Sequence, residues 1–154
     1  YKESKFDPKN ESWAGAIGLL QLLPATADEY GVKDLTDPAE NLFAGTMHLK
    51  WLQNYFDDYV EDPVQKTKFV LAAYNVGHGH VVDAIRLTNK YGGDPQDWNE
   101  VSDFLLKKSN SKYYNDEVVQ FGYCRGIEPV TYVSTIYAIY ESYVALLPEE
   151  IVVN

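Results

Sequence analysis

One acidic residue near the start of the sequence, Glu3, is the residue best suited to proton-transfer chemistry. Pro8 disfavours helical geometry at Asp7, so we expect a helix that carries Glu3 to end at about Phe6. A carboxyl group at the end of a helix and against an apolar wall retains its proton more readily, as a general acid requires near neutral pH. A lone glutamate at such a place is more often solvated. Its role therefore depends on the residues that accompany it.

Residues 12–27 form an apolar run with one strongly polar side chain, Gln21. Gly15 and Gly18 stand three apart and permit a tight backbone path, with a short extended piece expected at residues 17–19. A buried amide must find hydrogen-bond partners, so Gln21 is either satisfied by the backbone or presented to a ligand.

Tyr74 and Asn75 form a third candidate, at the end of an apolar segment that Gly77 and Gly79 are suited to stop. One interpretation is structural, with a packed tyrosine and a capping asparagine. The other is that both side chains face a ligand. The residues alone leave both interpretations open.

Helix starts are indicated by an Asp-Pro pair at residues 37–38, 62–63 and 94–95, each with an acid or amide three residues after the aspartate. An Asp N-cap followed by Pro is typical of a helix N-terminus. Apolar residues recur at spacings of three and four, which predicts buried helix faces. The faces are Leu42, Gly45, Leu49, Leu52, Phe56 and Tyr59; Val81, Ala84, Ile85 and Thr88; and Val133, Ile136, Tyr140, Tyr143 and Leu147. No comparable strand alternation occurs, so the prediction is a single all-α domain, with residues 107–122 as a polar surface loop.

Composition excludes several classes of protein. The 154 residues suffice for one core, and 13 basic against 23 acidic residues give a net charge of −10, which disfavours nucleic acid as a partner. No apolar run approaches the length of a membrane span. Cys124 is the one cysteine and is expected to be a buried small residue. Tyr, Trp and Phe make up 14% of the chain, which suits carbohydrate ligands but also helix packing.

The three candidate stretches together resemble the motifs of the lytic transglycosylases of glycoside hydrolase family 23. The matching residues are Glu3-Ser4; Gly18-Leu19-Leu20-Gln21 with Pro24 and Thr26-Ala27; and Ala73-Tyr74-Asn75 with Gly77. Further segments match at Asp37-Pro38 with Asn41 and Gly45, and at Glu128 with Tyr132-Val133. The layout of residues 77–126 is similar to membrane-bound members that carry an upstream domain resembling a periplasmic solute-binding protein. The resemblance implies a goose-type-lysozyme-like, all-α fold for residues 1–154, as one domain of a longer precursor.

The family pattern implies a role for each matching residue. Glu3 corresponds to the single catalytic acid and base. Six positions correspond to substrate-binding residues: Ser12, Gln21, Leu23, Tyr74, Asn75 and Tyr132. Leu20 and Leu23 stand where Met is common and keep an apolar floor, whereas Lys2 stands where Gln often precedes the glutamate.

The implied reaction cleaves the bond between N-acetylmuramic acid and N-acetylglucosamine in peptidoglycan without consuming water, leaving a 1,6-anhydro end. No metal or other cofactor is implied, and His78 and His80 are expected to be loop residues rather than ligands. A hydrolase of the same fold needs a second carboxyl, for which Asp7 and Glu11 are the nearest candidates, both expected to be solvated. A non-catalytic peptidoglycan-binding domain is the third alternative.

The implied partners are peptidoglycan glycan strands, with no membrane contact by this domain itself. The implied setting is the periplasmic side of the bacterial cell envelope, as a monomer tethered to an upstream domain of an outer-membrane-associated protein. We also expect a fragment that begins so close to Glu3 to be more active when upstream residues are restored.

Overall fold

The computed structural model describes residues 2–147. This part of the chain contains α-helices and one short 3-10 helix, and it has isolated β-bridges at Glu11–Ile17 and Ile17–Leu22 but no strand. The all-α prediction is therefore confirmed. The elements are α1 (Pro24–Glu29), α2 (Pro38–Tyr55), the 3-10 helix (Phe56–Asp58), α3 (Pro63–Val76), α4 (His78–Lys90), α5 (Trp98–Lys107), α6 (Ser111–Tyr114) and α7 (Ile127–Val144). They fall into two compact units, one ending at Asn54 and the other beginning at Tyr55. A single domain over residues 1–154 stays a prediction.

The first unit opens with turns, and the predicted helix around Glu3 is absent from residues 2–6. Lys5 and Phe6 have φ angles of 53° and 66°, which a right-handed helix does not contain. The Asp7 N–H donates to the carbonyl of Ser4 (3.0 Å) and closes the turn. The helix prediction was wrong because Pro8 indicates where a helix must end but does not require one before it.

Helix α2 begins where the first Asp-Pro pair predicts. The Asp37 carboxylate accepts the N–H groups of Ala39 and Glu40, each at 2.9 Å. The predicted buried face is partly right, because Gly45 and Leu52 lie on it. Leu42 is exposed, and Asn41 and Ala44 are buried instead. The α-helix ends at Tyr55, before the last two residues of the predicted face, and the 3-10 helix follows it directly.

The second unit is built around α3, α4, α5 and α7. Helix α4 packs against α3 and α5, and α7 packs against α3 and α5. Asp62 caps α3 by accepting the Gln65 N–H (2.8 Å), as the second Asp-Pro pair predicts. Gly77, at φ 92°, separates α3 from α4. The interior is apolar and includes Phe69, Leu87, Val101, Leu105 and Val133.

The third Asp-Pro pair does not start a helix. Helix α5 begins at Trp98, where the Asp97 side chain accepts the Asn99 N–H (2.8 Å). The Asp94 carboxylate instead accepts the Gln96 N–H (2.8 Å) and forms a local turn before the helix. Two aspartates three residues apart compete for the N-cap, and the second one takes it.

Two other predictions need correction. Residues 107–122 are not a solvated loop throughout, because Lys107 ends α5, α6 lies within the segment, and Lys108 is 0% exposed. In α7, Val133 is buried as predicted, but Tyr140 and Tyr143 are exposed. The predicted buried face of α7 therefore holds at Val133 and fails at Tyr140 and Tyr143, towards the C-terminal end of the helix.

Candidate functional site

The segment that carries Glu3 is joined to the glycine-containing loop by one buried serine. Glu3 is half-buried, and Ser4 beside it is 5% exposed. The Ser4 hydroxyl donates to the carbonyl of Leu19 (2.9 Å). Two of the three sequence motifs, fifteen residues apart at this bond, therefore meet within the first unit.

Ser12 closes a short loop in the same unit. Its N–H donates to the Ala16 carbonyl (2.8 Å), and its hydroxyl oxygen accepts the Ala16 N–H (3.0 Å). Gly15, at φ 79°, supplies the left-handed position that this turn needs. The loop presents Trp13, which is 97% exposed. Ser12 itself is half-buried and has a structural role in addition to its predicted contact with substrate.

The sequence left open whether the Gln21 amide is satisfied by the backbone or presented to a ligand. Its side-chain nitrogen donates to the carbonyls of Asn10 and Gly18, each at 2.9 Å, so this end of the amide has backbone partners. Its φ of 50° places a non-glycine residue in the left-handed region, which costs about 1 kcal/mol or more and needs such partners. Leu23 follows as the N-cap residue of α1 and is 46% exposed.

Asn41 is a residue of this unit to which the motif analysis gave no role. It is completely buried, its Oδ1 accepts the Leu20 N–H (2.8 Å), and its Nδ2 donates to the carbonyls of Ile17 (2.9 Å) and Leu35 (3.0 Å). The Asp-Pro-x-x-Asn motif could have indicated this role, because it places a polar side chain one turn inside α2, on the buried face of the helix.

The second unit carries the other three predicted site residues. Tyr74 and Asn75 lie in the last turn of α3, the first half-buried and the second exposed. The residue that caps α3 is Gly77, so the interpretation of Asn75 as a cap is wrong. Tyr132 is buried in α7, which packs against α3.

A buried ion pair lies in the second unit and was not predicted. The Asp83 carboxylate and the Lys108 ammonium are 2.7 Å apart, and both side chains are 0% exposed. Asp83 also accepts the N–H groups of Gln120 (2.9 Å) and Phe121 (2.8 Å). Burial acts to raise the pKa of Asp83, but these hydrogen bonds and Lys108 outweigh it and lower the pKa. No spacing rule pairs residues 25 apart, so sequence patterns do not reveal this contact.

The two histidines at 78 and 80 lie in the first turn of α4, so their prediction as loop residues is wrong. The His78 ring packs edge-on against Tyr55, with ring centroids 4.9 Å apart. The His80 Nδ1 lies 3.2 Å from the Lys108 ammonium, and burial followed by that cation lowers the pKa of His80. Across residues 2–147, no group of three or more His, Cys, Asp or Glu side chains is arranged to hold a metal ion.

Cys124 is buried, as predicted, and burial raises the pKa of its thiol. Among the helices of residues 2–147, none is both long and apolar enough to cross a bilayer.

The all-α fold and the three motifs can be compared with the models of known protein families. Residues 1–96 match the family described as "Transglycosylase SLT domain", which is more than half of the chain. The chain belongs to this family, and the resemblance inferred from the motifs is confirmed.

Curated relatives are more specific. The chain is 42% identical over 141 residues to "Membrane-bound lytic murein transglycosylase F" of Desulfosudis oleivorans, an alignment that covers 92% of this chain and 30% of that protein. It is 38% identical to proteins of the same description from Pasteurella multocida, over 88% of this chain and 27% of that protein, and from Yersinia pestis (strain Pestoides F), over 97% and 30%. The chain thus spans less than a third of the length of these relatives.

Proposed function

We propose that this chain is the catalytic part of a peptidoglycan lytic transglycosylase. Membership of the SLT family and the names of its relatives support this assignment. The structural observation that carries it is the Ser4–Leu19 hydrogen bond, which joins the Glu3 segment to the loop that leads into Gln21. A half-buried acid beside a loop that carries polar side chains is an arrangement suited to protonating a leaving group.

In the proposed reaction Glu3 first donates its proton to the oxygen that bridges N-acetylmuramic acid and N-acetylglucosamine, and the glycosidic bond breaks. The muramic N-acetyl group stabilises the positive charge that develops at C1, which is the substrate-assisted exception to the two-carboxyl rule. The Glu3 carboxylate then takes the proton of the C6 hydroxyl, whose oxygen attacks C1. Glu3 is protonated again, and no water is consumed. The proposed substrate contacts are Ser12, Gln21, Leu23, Tyr74, Asn75 and Tyr132.

The environment of the nearest other carboxylates supports a single-carboxyl scheme over a hydrolase. Asp7 and Glu11 are both exposed, as expected from the sequence. The Asp7 carboxylate accepts the Lys9 N–H (2.9 Å), a local turn contact. A hydrolase needs a second group held at a fixed distance from the first, and a solvated turn does not provide it.

The cellular location and the partner of the chain are proposed from its relatives as well. The name "membrane-bound" of the relatives supports a place in the bacterial cell envelope, facing the peptidoglycan of the periplasm. Glycan strands are the proposed partner, bound without a metal or other cofactor. We propose that the chain acts as a monomeric domain tethered to an upstream one.

Mass spectrometry of the soluble products released from purified sacculi tests the function directly. We expect anhydro-ended muropeptides from this chain and at least a 100-fold loss with Glu3→Gln, because a positioned general acid and base contributes on the order of 10² to 10⁴ in rate. Glu11→Gln, an exposed carboxyl of the same loop region, is the matched control and should release products at the rate of the unmodified chain. Reducing-end products would identify a hydrolase, and binding to sacculi without any product would identify a non-catalytic domain.

A further inference from the structure

We propose that Ser4 and Asn41 are positioning residues, which hold one peptide group from opposite sides and thereby fix the Glu3 carboxyl relative to the Gln21 loop. This inference rests on the proposed function. The peptide group is the one between Leu19 and Leu20.

The Leu19–Leu20 peptide has both of its polar atoms engaged by side chains. Its carbonyl oxygen accepts the Ser4 hydroxyl (2.9 Å), and its N–H donates to Asn41 Oδ1 (2.8 Å). Rotation of this peptide plane would break both hydrogen bonds at once. Each bond polarises the peptide in the direction that strengthens the other, so the two are expected to be cooperative.

Asn41 is itself fixed. It is completely buried in α2, and its Nδ2 donates to the Ile17 and Leu35 carbonyls (2.9 and 3.0 Å). Both amide protons and the amide oxygen are therefore used. Only an asparagine side chain provides two N–H donors and an acceptor oxygen at this length, so these three hydrogen bonds require asparagine at position 41.

Glycines let the loop lie directly on α2. A Cβ atom on Gly18 would lie 2.2 Å from Asn41 Nδ2, and a Cβ on Gly45 would lie 2.3 Å from Leu20 Cδ1. These approaches place the Gly18 backbone and the Leu20 side chain directly against α2. The loop that accepts the Ser4 hydrogen bond is therefore closely packed on a helix, and Ser4 is the covalent neighbour of Glu3.

A general acid acts only within hydrogen-bond reach of the atom it protonates, and a displacement of about 1 Å can cost on the order of 100-fold in rate. Loss of the support should therefore reduce kcat, the step that uses Glu3. In Ser4→Ala, where Asn41 still holds the loop that carries Gln21, substrate binding should change little, so KM should stay within about twofold.

Steady-state kinetics on sacculi, at temperatures well below the Tm of each variant, tests the inference. We expect Ser4→Ala to lower kcat by about tenfold or more and Ser4→Thr, which keeps the hydroxyl, to recover most of it. Asn41→Ala, which removes the acceptor of the Leu20 N–H, should also lower kcat. The double variant Ser4→Ala/Asn41→Ala should lose less than the product of the single losses, because both act on one peptide.

Ser102→Ala is the matched control, since its hydroxyl also donates to a backbone carbonyl (Asn99, 3.1 Å) but lies in α5. A kcat of Ser4→Ala equal to that of the control, or fully multiplicative losses in the double variant, would overturn the proposal. If Asn41→Ala does not fold, the Ser4 variants decide.

A second readout does not require activity and so separates this inference from the proposed function. The ¹³C NMR titration curve of the Glu3 carboxyl should move in Ser4→Ala and remain in place in Ser102→Ala. An unchanged curve would contradict the positioning role, whereas a moved curve in a chain that releases no product would leave the positioning intact and refute the proposed activity.

Discussion

Two neighbouring lysines, Lys107 and Lys108, each pair with an aspartate in opposite surroundings. Lys107 pairs with Asp103 one turn back on the surface of α5, whereas Lys108 pairs with Asp83 where both side chains are 0% exposed. Exposed pairs contribute little to stability, but removal of one partner of a buried pair leaves an uncompensated charge in the interior. The same residue type, one position apart, should therefore respond very differently to substitution.

We predict that Lys108→Met lowers the free energy of unfolding by about 3 kcal/mol and that Lys107→Met lowers it by less than about 1 kcal/mol. The measurement is urea denaturation followed by circular dichroism at pH 7. Both changes remove one positive charge and substitute a side chain of similar length, so net charge is matched. Equal losses in the two variants would contradict the account of the buried pair.

His80 gives the second unit a pH dependence at the residue scale. Burial and the facing Lys108 lower the pKa of His80 below its usual value near 6.5, although Asp83 acts in the other direction. As the pH falls below about 6.5, the unfolded chain takes up a proton that the folded chain does not, so stability decreases with a slope of at most about 1.4 kcal/mol per pH unit.

The free energy of unfolding, measured between pH 7.5 and 5, should therefore fall on acidification, and His80→Gln should flatten the fall. The window lies above the range in which Asp83 contributes, because its lowered pKa makes that contribution disappear only at more acid pH. An identical profile in His80→Gln and the unmodified chain would refute the assignment.

At the scale of elements, helix α2 packs against the loop of residues 18–20. Gly18 and Gly31 both have positive φ, 83° and 74°, but only Gly18 has neighbours where a Cβ would be placed. A Cβ on Gly18 would approach the Leu35 carbonyl oxygen to 2.4 Å, and nothing lies within 4 Å of one on Gly31.

We predict that Gly31→Ala costs about 1 kcal/mol of stability from backbone strain alone, and that Gly18→Ala costs about 2 kcal/mol more because α2 and the loop must separate. The matched pair thus isolates the packing of the loop on the helix. Thermal unfolding of the two variants gives the comparison, and equal shifts in Tm would show that the loop does not lie tightly on α2.

Sequence patterns predicted those features of the helices that depend on residues close together in the chain. The caps at Asp37 and Asp62 were predictable, because a capping side chain acts on residues two or three positions away. At Asp94 the same local rule failed, because Asp97 was an equally good cap nearer the apolar run. The turn around Glu3 could not be predicted, because its positive φ angles fall on Lys5 and Phe6, which are residue types that seldom adopt them.

At the scale of the whole chain, motif resemblance predicted the family and the all-α fold, and the family match confirms both. That match ends at residue 96, just before α5, whereas the alignment with the Yersinia pestis relative covers 97% of the chain. Asp83 lies inside the family match and Lys108 lies beyond it. The buried pair was missed because sequence patterns relate residues that are close along the chain, whereas Asp83 and Lys108 are 25 positions apart and are brought together by the fold.

The Asp83 carboxylate also has a consequence for how this chain can vary in length. It holds Lys108 at the end of α5 and the N–H groups of Gln120 and Phe121 after α6, so both borders of residues 109–119 are fixed to one atom group in α4. Insertions or deletions between those borders need not move either of them. Within the stretch, Asp116 pairs with Lys90 (2.8 Å) at the end of α4, so a change in length would act first on this contact and not on the buried pair.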